Sequence, residues 1–333
     1  MPIDVHAHYF PPHILDLLSD RGADLGISVL SSPPTCQKCL QFAYGLKARP
    51  FPARLVEDIG HRIEHMDHQG ITRQVLSGWT DIFGYGLPSA KGGGWHRLMN
   101  DALSDSCRQH PDSLSWLASG ALPDAASAAH ELERSVTQAG AIGGVVAANV
   151  EGKNLGELDL DEYWAAACEL DVPVFIHPMQ AEPTPRTEFF SLNPIAQYTF
   201  DTTMTVGSLI SSGVLDRFPQ LQLILSHGGG ALPYLIGRFD CLHARADREQ
   251  SRNVAQNLPS SYLGRFHYDS ILHSAKSLRF LADLVGTERL VLGTDDSFPP
   301  ADHDPMDSLR KAGFGIEDIH KIAEANPRRL FRL

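Results

Sequence analysis

Short apolar runs broken by glycine, proline or charged residues recur along the chain, and they alternate with stretches where apolar positions return every three or four residues. The runs at 3–8 (IDVHAH), 71–78, 114–122, 143–150, 172–178 (VPVFIHP), 221–229 (LQLILSHGG), 266–271 and 289–295 (RLVLGTD) have strand length and composition. Helical spacing occupies 54–69, 96–110, 124–139, 160–170, 203–217, 232–247, 274–286 and 316–325. In the stretch 124–139, Asp124 follows Pro123 as an N-cap and Gly140 closes the helix. This alternation predicts an α/β fold of the (β/α)8 TIM-barrel type over residues 1–333, as one domain with long covering loops. The segments 20–53 and 179–200 exceed ordinary connections, so each is expected to cover the site or to carry small local structure.

Bulk composition narrows the functional classes. The 333 residues are 43% hydrophobic and 20% charged, and no apolar stretch is long enough to span a bilayer. A formal net charge of -12 argues against nucleic acid as a partner, because phosphate binding needs a basic surface. The five scattered cysteines fit a reducing compartment. The first residues run at once into Asp4 and His6 without a basic and apolar leader, so the cytoplasm is the expected location. Cys36 and Cys39 form a CxxC that no second pair answers, and they read as two thiols in a loop.

In a barrel of this type, catalytic side chains come from the C-terminal ends of the strands. Those ends are unusually polar here. The first carries His6 and His8, which share a face because alternate strand residues do; the fifth carries His177, the sixth His227, the seventh Asp269 and the eighth Asp295. Buried polar groups in a barrel mouth are costly unless paired, and one divalent cation pairs several at once. His6, His8, His177 and Asp295 are the candidate ligands, with His227 beside them. Zinc accepts imidazole and carboxylate donors readily, and manganese is the alternative ion. The glycines 228–230 after His227 let the backbone turn tightly and permit close approach of a substrate. They are not an esterase oxyanion loop, because the chain lacks a GxSxG nucleophile.

IDVHAHYFPP, RIEHMDHQGI (62–71), IFGYG with WHRLMND (82–101), VPVFIHP, LILSHGGGALPYLIGRFD (223–240) and VLGTDDSFP (291–299) together resemble the amidohydrolase superfamily. Within it the order and spacing are similar to the branch of aminocarboxymuconate-semialdehyde decarboxylase and related aromatic acid decarboxylases. The resemblance implies a mononuclear metal held by His6, His8, His177 and Asp295, with His227 as general acid/base. It implies that Arg49, in KARPFP, binds the substrate carboxylate. It implies that Arg238 reaches the neighbouring subunit's site, hence a homodimer. The chain departs from the pattern after Asp295, where Asp296 and Ser297 replace an aromatic-proline pair, and at HPMQ, where a tryptophan is usual after the proline. Both departures are expected to border the pocket. No lysine ends the fourth strand, which argues against a carbamylated-lysine dinuclear centre.

The expected activity is nonoxidative decarboxylation of an aromatic or unsaturated carboxylic acid by a carbon-carbon lyase. The small-molecule carboxylate meets the metal, Arg49 orients it, and His227 with Asp295 handles the proton. Three rivals use the same residues: hydrolysis of a lactone or ester-like bond, hydration of an unsaturated diacid, and a non-catalytic metal-stabilised scaffold.

Overall fold

The computed structural model describes residues 1–32, 37–179, 184–245 and 252–333. Eight parallel strands form the barrel wall: β1 Ile3–His8, β2 Arg73–Ser77, β3 Leu114–Trp116 continued by Ala118–Ser119, β4 Gly144–Ala147, β5 Val174–His177, β6 Leu223–Leu225, β7 Phe266–Asp269 and β8 Leu290–Val291. Ladders join them in that order: β1 to β2, β2 to the first half of β3, its second half to β4, and onward through β8. The circle closes through Val5 N–H to the Leu292 carbonyl at 2.9 Å and Asp295 N–H to the His6 carbonyl at 2.8 Å. A closed parallel sheet is buried on both faces, and the runs are accordingly apolar throughout, as in Val174, Phe175 and Ile176, each 0% exposed.

The predicted helix after β3 is present as Ala125–Ala139. The Asp124 side chain accepts from Ser127 N–H, and Gly140 takes a left-handed φ of 83° at its end. Its buried residues Ala128, Glu131, Leu132 and Ser135 recur at helical spacing. Elsewhere the boundaries move. The stretch 54–69 divides into a short turn, Ala53–Val56, and the helix Ile59–Gln69. The helix predicted from 96 begins earlier, at Ser89, and runs through the glycines 92–94, of which Gly92 is buried. Segment 20–53 carries local structure: the helix His13–Leu25, entered directly from Pro12, and an antiparallel hairpin pairing Ile27–Ser32 with Gln37–Phe42. Of the CxxC pair, Cys36 lies outside the described residues, and Cys39 is a buried free thiol.

Two corrections bear on the site. The predicted strands 221–229 and 289–295 stop pairing at Leu225 and Val291, so His227 and Asp295 sit on turns beyond the ladders. Both have left-handed backbones, φ 53° and 56°, which a ladder cannot accommodate. The predicted strand 143–150 likewise ends at Ala147, and Asn149–Val150 pairs instead with Lys153–Asn154 in a small hairpin. Among the described residues, no helix is long and apolar enough to cross a membrane.

Candidate metal centre

β1 carries a bulge between Asp4 and Ala7, a device that re-aims side chains at the end of a strand. His6 and His8 both turn into the barrel mouth, their Nε2 atoms 3.2 Å apart. Each ring is held by its other nitrogen. His6 Nδ1 lies 2.6 Å from Asp269 Oδ2, and His8 Nδ1 lies 3.2 Å from Ser77 Oγ. His177 Nδ1 lies 3.1 Å from Thr80 Oγ1 and 2.9 Å from the Pro178 carbonyl. A carbonyl only accepts, so Nδ1 of His177 is the protonated nitrogen, and its Nε2 is left as a buried lone pair without a partner. Asp295 Oδ1 closes the group, 3.2 Å from His6 Nε2 and 3.4 Å from His8 Nε2.

One donor atom from each of His6, His8, His177 and Asp295 lies within 4.8 Å of the others, and all four residues are buried. Lone pairs facing each other in a dry site repel unless a cation or a proton sits between them. Burial disfavours a charged His6, yet Asp295 and Asp269 overcome it and push its pKa up to about 10. Burial holds His8 low and His177 well below the usual imidazole range. Burial works against ionised Asp295, but the surrounding histidines hold its carboxyl well below the usual carboxylate range. Neutral His8, the orphaned lone pair of neutral His177 and ionised Asp295 are donors of the kind a divalent metal requires, and a metal that recruits His6 displaces the proton which Asp295 and Asp269 hold there.

His227 stands beside this group. Its Nε2 is 3.3 Å from Asp295 Oδ2, and its Nδ1 is buried without a partner. Its backbone is fastened by Asp269, which accepts from His227 N–H at 2.9 Å and from Gly228 N–H at 2.8 Å. Gly228, Gly229 and Gly230 have φ of 60°, 79° and 63°, and a Cβ at Gly230 would lie 2.1 Å from the Thr199 carbonyl oxygen. The tight turn expected of these glycines is thus present, and Gly230 is required by close approach to the Thr199 backbone.

A cavity of about 690 Å³ opens over these residues. Its walls include Trp79, Ile195 and Phe298, and Arg49, Tyr198, His177, His227 and Asp295 border it. Trp79 and Phe298 stand with ring centroids 5.3 Å apart. The Arg49 guanidinium lies over Trp79 at 5.2 Å, and its Nη2 donates to Asp81 Oδ2 at 3.0 Å and to Tyr198 Oη at 2.7 Å. Tyr198 in turn donates to Asp81 at 2.8 Å. Arg238 is elsewhere, exposed on the helix Leu232–His243 and bordering a second cavity with Phe200, Met204 and Phe239.

Asp296 and Ser297 do not border the cavity. Asp296 lies behind the candidate ligands, 1% exposed, and accepts from Arg54 (Nε 3.1 Å, Nη2 2.8 Å) and from Arg62 Nη1 at 3.0 Å. Ser297 has φ 98°, which proline cannot adopt, and its Oγ donates to the His8 carbonyl at 2.6 Å. The cavity is lined instead by Phe298, Pro299 and Pro300. Met179, of HPMQ, is likewise not a cavity residue; its N–H donates to Asp201 and its carbonyl accepts from Asn149.

Sequence reasoning missed the polar layer beneath the ligands. Asp4 accepts from the N–H groups of His6 and Thr294, each at 3.0 Å, and from Gln74 Nε2 at 2.9 Å; Gln74 accepts from Arg62. A signal was present: Arg62 occupies the same helical stripe as Met66 and Gln69, the buried face of Ile59–Gln69. A charged residue on a core stripe requires a buried partner.

Comparison with known proteins agrees with this architecture. A 2-amino-3-carboxymuconate-6-semialdehyde decarboxylase of Dictyostelium discoideum is 28% identical over 331 residues, 99% of this chain and 89% of its own length. A gamma-resorcylate decarboxylase of Rhizobium sp. (strain MTP-10005) is 29% identical over 322 residues, covering 90% of this chain and 95% of that protein. The 5-carboxyvanillate decarboxylase of Sphingomonas paucimobilis shares the fold with a TM-score of 0.82 at 23% identity, over 100% of this chain and 99% of that one. The amidohydrolase family pattern matches residues 3–333, so with its barrel and its His-x-His, histidine and aspartate at the mouth, the chain belongs to the amidohydrolase family.

Proposed function

We propose that the protein is a metal-dependent nonoxidative decarboxylase of an aromatic or unsaturated carboxylic acid, acting as one barrel domain over 1–333. The observation that carries this reading is the convergence of His6, His8, His177 and Asp295 at the floor of a cavity walled by Trp79 and Phe298 and bordered by Arg49. The similar decarboxylases act on acids of this class, and one fold neighbour was solved with 2,6-dihydroxybenzoate bound.

A divalent cation held by those four residues would supply Lewis-acid neutralisation of the substrate's carboxylate and neighbouring oxygen. Arg49 binds the carboxylate, and the adjoining rings of Trp79 and Phe298 offer the substrate an apolar wall that excludes water. His227, its Nε2 beside Asp295 Oδ2, holds the proton destined for the ring carbon that bears the carboxylate, and Asp295 relays its replacement from solvent. The new C–H bond forms first. The carbon-carbon bond then breaks, its electron pair returns to the ring, and carbon dioxide leaves.

Three imidazoles and one carboxylate favour zinc by donor chemistry. Manganese is the competing ion, bound in the solved 5-carboxyvanillate and dihydroxybenzoic acid decarboxylases that share this fold. Metal analysis of protein purified without added metal decides between them. A homodimer belongs to the same reading, with Arg238 crossing to the partner's site, and light scattering tests it. A cytoplasmic location belongs to the same reading, on the odd and scattered set of five cysteines in the sequence.

The deciding experiment incubates metal-loaded protein with hydroxybenzoates, an aminocarboxymuconate semialdehyde and lactones. Carbon dioxide release from at least one acid is expected. Lactone opening without carbon dioxide from any acid would replace decarboxylation by hydrolysis.

A further inference from the structure

The segment after Asp295 is one of the two points where the sequence leaves the pattern it otherwise resembles, and the proposed chemistry gives Asp296 and Ser297 no task. Their geometry gives them one. Asp295 and Ser297 both have positive φ, 56° and 98°, in a stretch without glycine. Non-glycine residues persist in that region only where the surroundings over-determine them.

Several fastenings do so. Asp296 N–H donates to Thr294 Oγ1 at 3.1 Å, and the Asp296 carbonyl accepts from His8 N–H at 3.2 Å. The Asp296 carboxylate is gripped from two sides by Arg54 and Arg62, at 2.8 Å and 3.0 Å. Arg62 is 0% exposed, and its Nη2 also donates to the His8 carbonyl and to Ser297 Oγ, at 3.0 Å and 2.9 Å. One guanidinium therefore ties the end of β1, which carries the ligand His8, to the turn that carries the ligand Asp295. Arg54, from the turn Ala53–Val56, ties the segment following Arg49 to the same carboxylate.

We infer that Asp296, through its ion pairs with Arg54 and Arg62, is a positioning residue that fixes the Asp295 turn against the end of β1 and so sets the affinity and geometry of the metal centre. This rests on the four-residue metal reading above. Asp296 touches no ligand atom; it acts through the backbone on either side of the site. A carboxylate is favoured because a neutral side chain there would remove the shorter of the two ion pairs of buried Arg62, 3.0 Å to Asp296, and leave only Glu57 at 3.7 Å as its counter-charge.

The test is competition of a chromophoric chelator against metal-free protein for Mn²⁺ and Zn²⁺, together with the visible absorption of the Co²⁺-loaded protein, whose ligand-field bands report coordination geometry. Asp296→Asn is expected to bind both ions 10- to 100-fold more weakly than wild type and to shift the Co²⁺ bands, with an unchanged far-ultraviolet circular dichroism spectrum. Ser297→Ala and Arg54→Met remove one fastening each and are expected to weaken binding by a smaller factor. Wild-type protein that takes up no divalent ion overturns the metal reading itself. Wild-type protein that binds stoichiometrically, with Asp296→Asn within twofold of it and an unshifted Co²⁺ spectrum, overturns this inference alone. Should Asp296→Asn fail to fold, the other two variants decide: both within twofold of wild type also overturns it.

Discussion

His6 Nδ1 and Asp269 Oδ2 lie 2.6 Å apart, both side chains wholly buried, and the same carboxylate fastens the backbone of His227. One acid thus orients a candidate ligand on β1 and His227, the candidate proton-handling residue after β6. Partners of this kind set ring tautomer and orientation, and their loss typically reduces metal affinity 10- to 100-fold. Asp269→Asn is therefore expected to bind metal more weakly by that factor and, at saturating metal, to retain a reduced kcat because the His227 turn has lost its anchor. Calorimetric titration and kinetics with excess metal check both parts. Full recovery of kcat at saturating metal would confine Asp269 to the His6 side.

His227→Asn separates proton transfer from metal binding. Asparagine tolerates the left-handed backbone that His227 adopts, so the turn survives the change. Removal of a general acid typically costs about 10²- to 10⁴-fold in rate. Turnover is expected to fall by that order while metal content, read by elemental analysis, stays at the wild-type value. Loss of the metal would make His227 a ligand.

The barrel and the four candidate ligands were legible because each rests on local information: an apolar run, a polar residue at its end, and a known direction of chain. What was not legible depends on pairing across the fold. His227 and Asp295 read as strand ends, but their positive φ is imposed by hydrogen bonds to Asp269 and to the His6 carbonyl, which no local pattern reveals. Asp296 read as a pocket residue because it follows a ligand. Its orientation was decided by Arg54 and Arg62, more than 230 residues earlier in the chain. The helix His13–Leu25 was hidden by glycine and charge, and its buried positions Ile14, Leu18, Gly22 and Leu25 make sense only once the barrel is there to receive them.

Arg49 is the candidate carboxylate binder, and Asp81 with Tyr198 holds one of its nitrogens against Trp79. If the clamp acts through Arg49, its removal matters only while Arg49 is present. Tyr198→Phe is expected to raise KM for the acid several-fold with little change in kcat, and Arg49→Met to raise it further. Tyr198→Phe added to Arg49→Met should then cost nothing more. Equal losses from Tyr198→Phe in both backgrounds would show that the phenol meets the substrate itself.

The dependence of stability on pH has a sign that buried groups away from the metal set. Burial lowers His96 to about 3 and His267 to about 4, against 6.5 for a free imidazole. The unfolded chain therefore binds these protons first. Their contribution is complete above pH 6.5 and is lost as pH falls toward 4 and 3. Asp201, raised by burial from 3.8 to about 6, acts in the opposite sense: its contribution is present below pH 3.8 and lost as pH rises through 6. His96 is the larger imidazole case, with Nδ1 2.8 Å from Ser119 Oγ and its ring stacked on Tyr85. Between pH 7.5 and 5 its protonation in the unfolded state costs wild type about 2 kcal/mol. Denaturant unfolding of metal-free protein at the two pH values measures this, since metal binding would otherwise add its own pH dependence. In His96→Gln the loss on acidification should be smaller than in wild type by that amount, because the variant has no proton to gain there. An equal loss in the two proteins would mean that His96 titrates in the fold as it does in water, and that its burial beside Phe83 and Tyr85 is relieved by solvent.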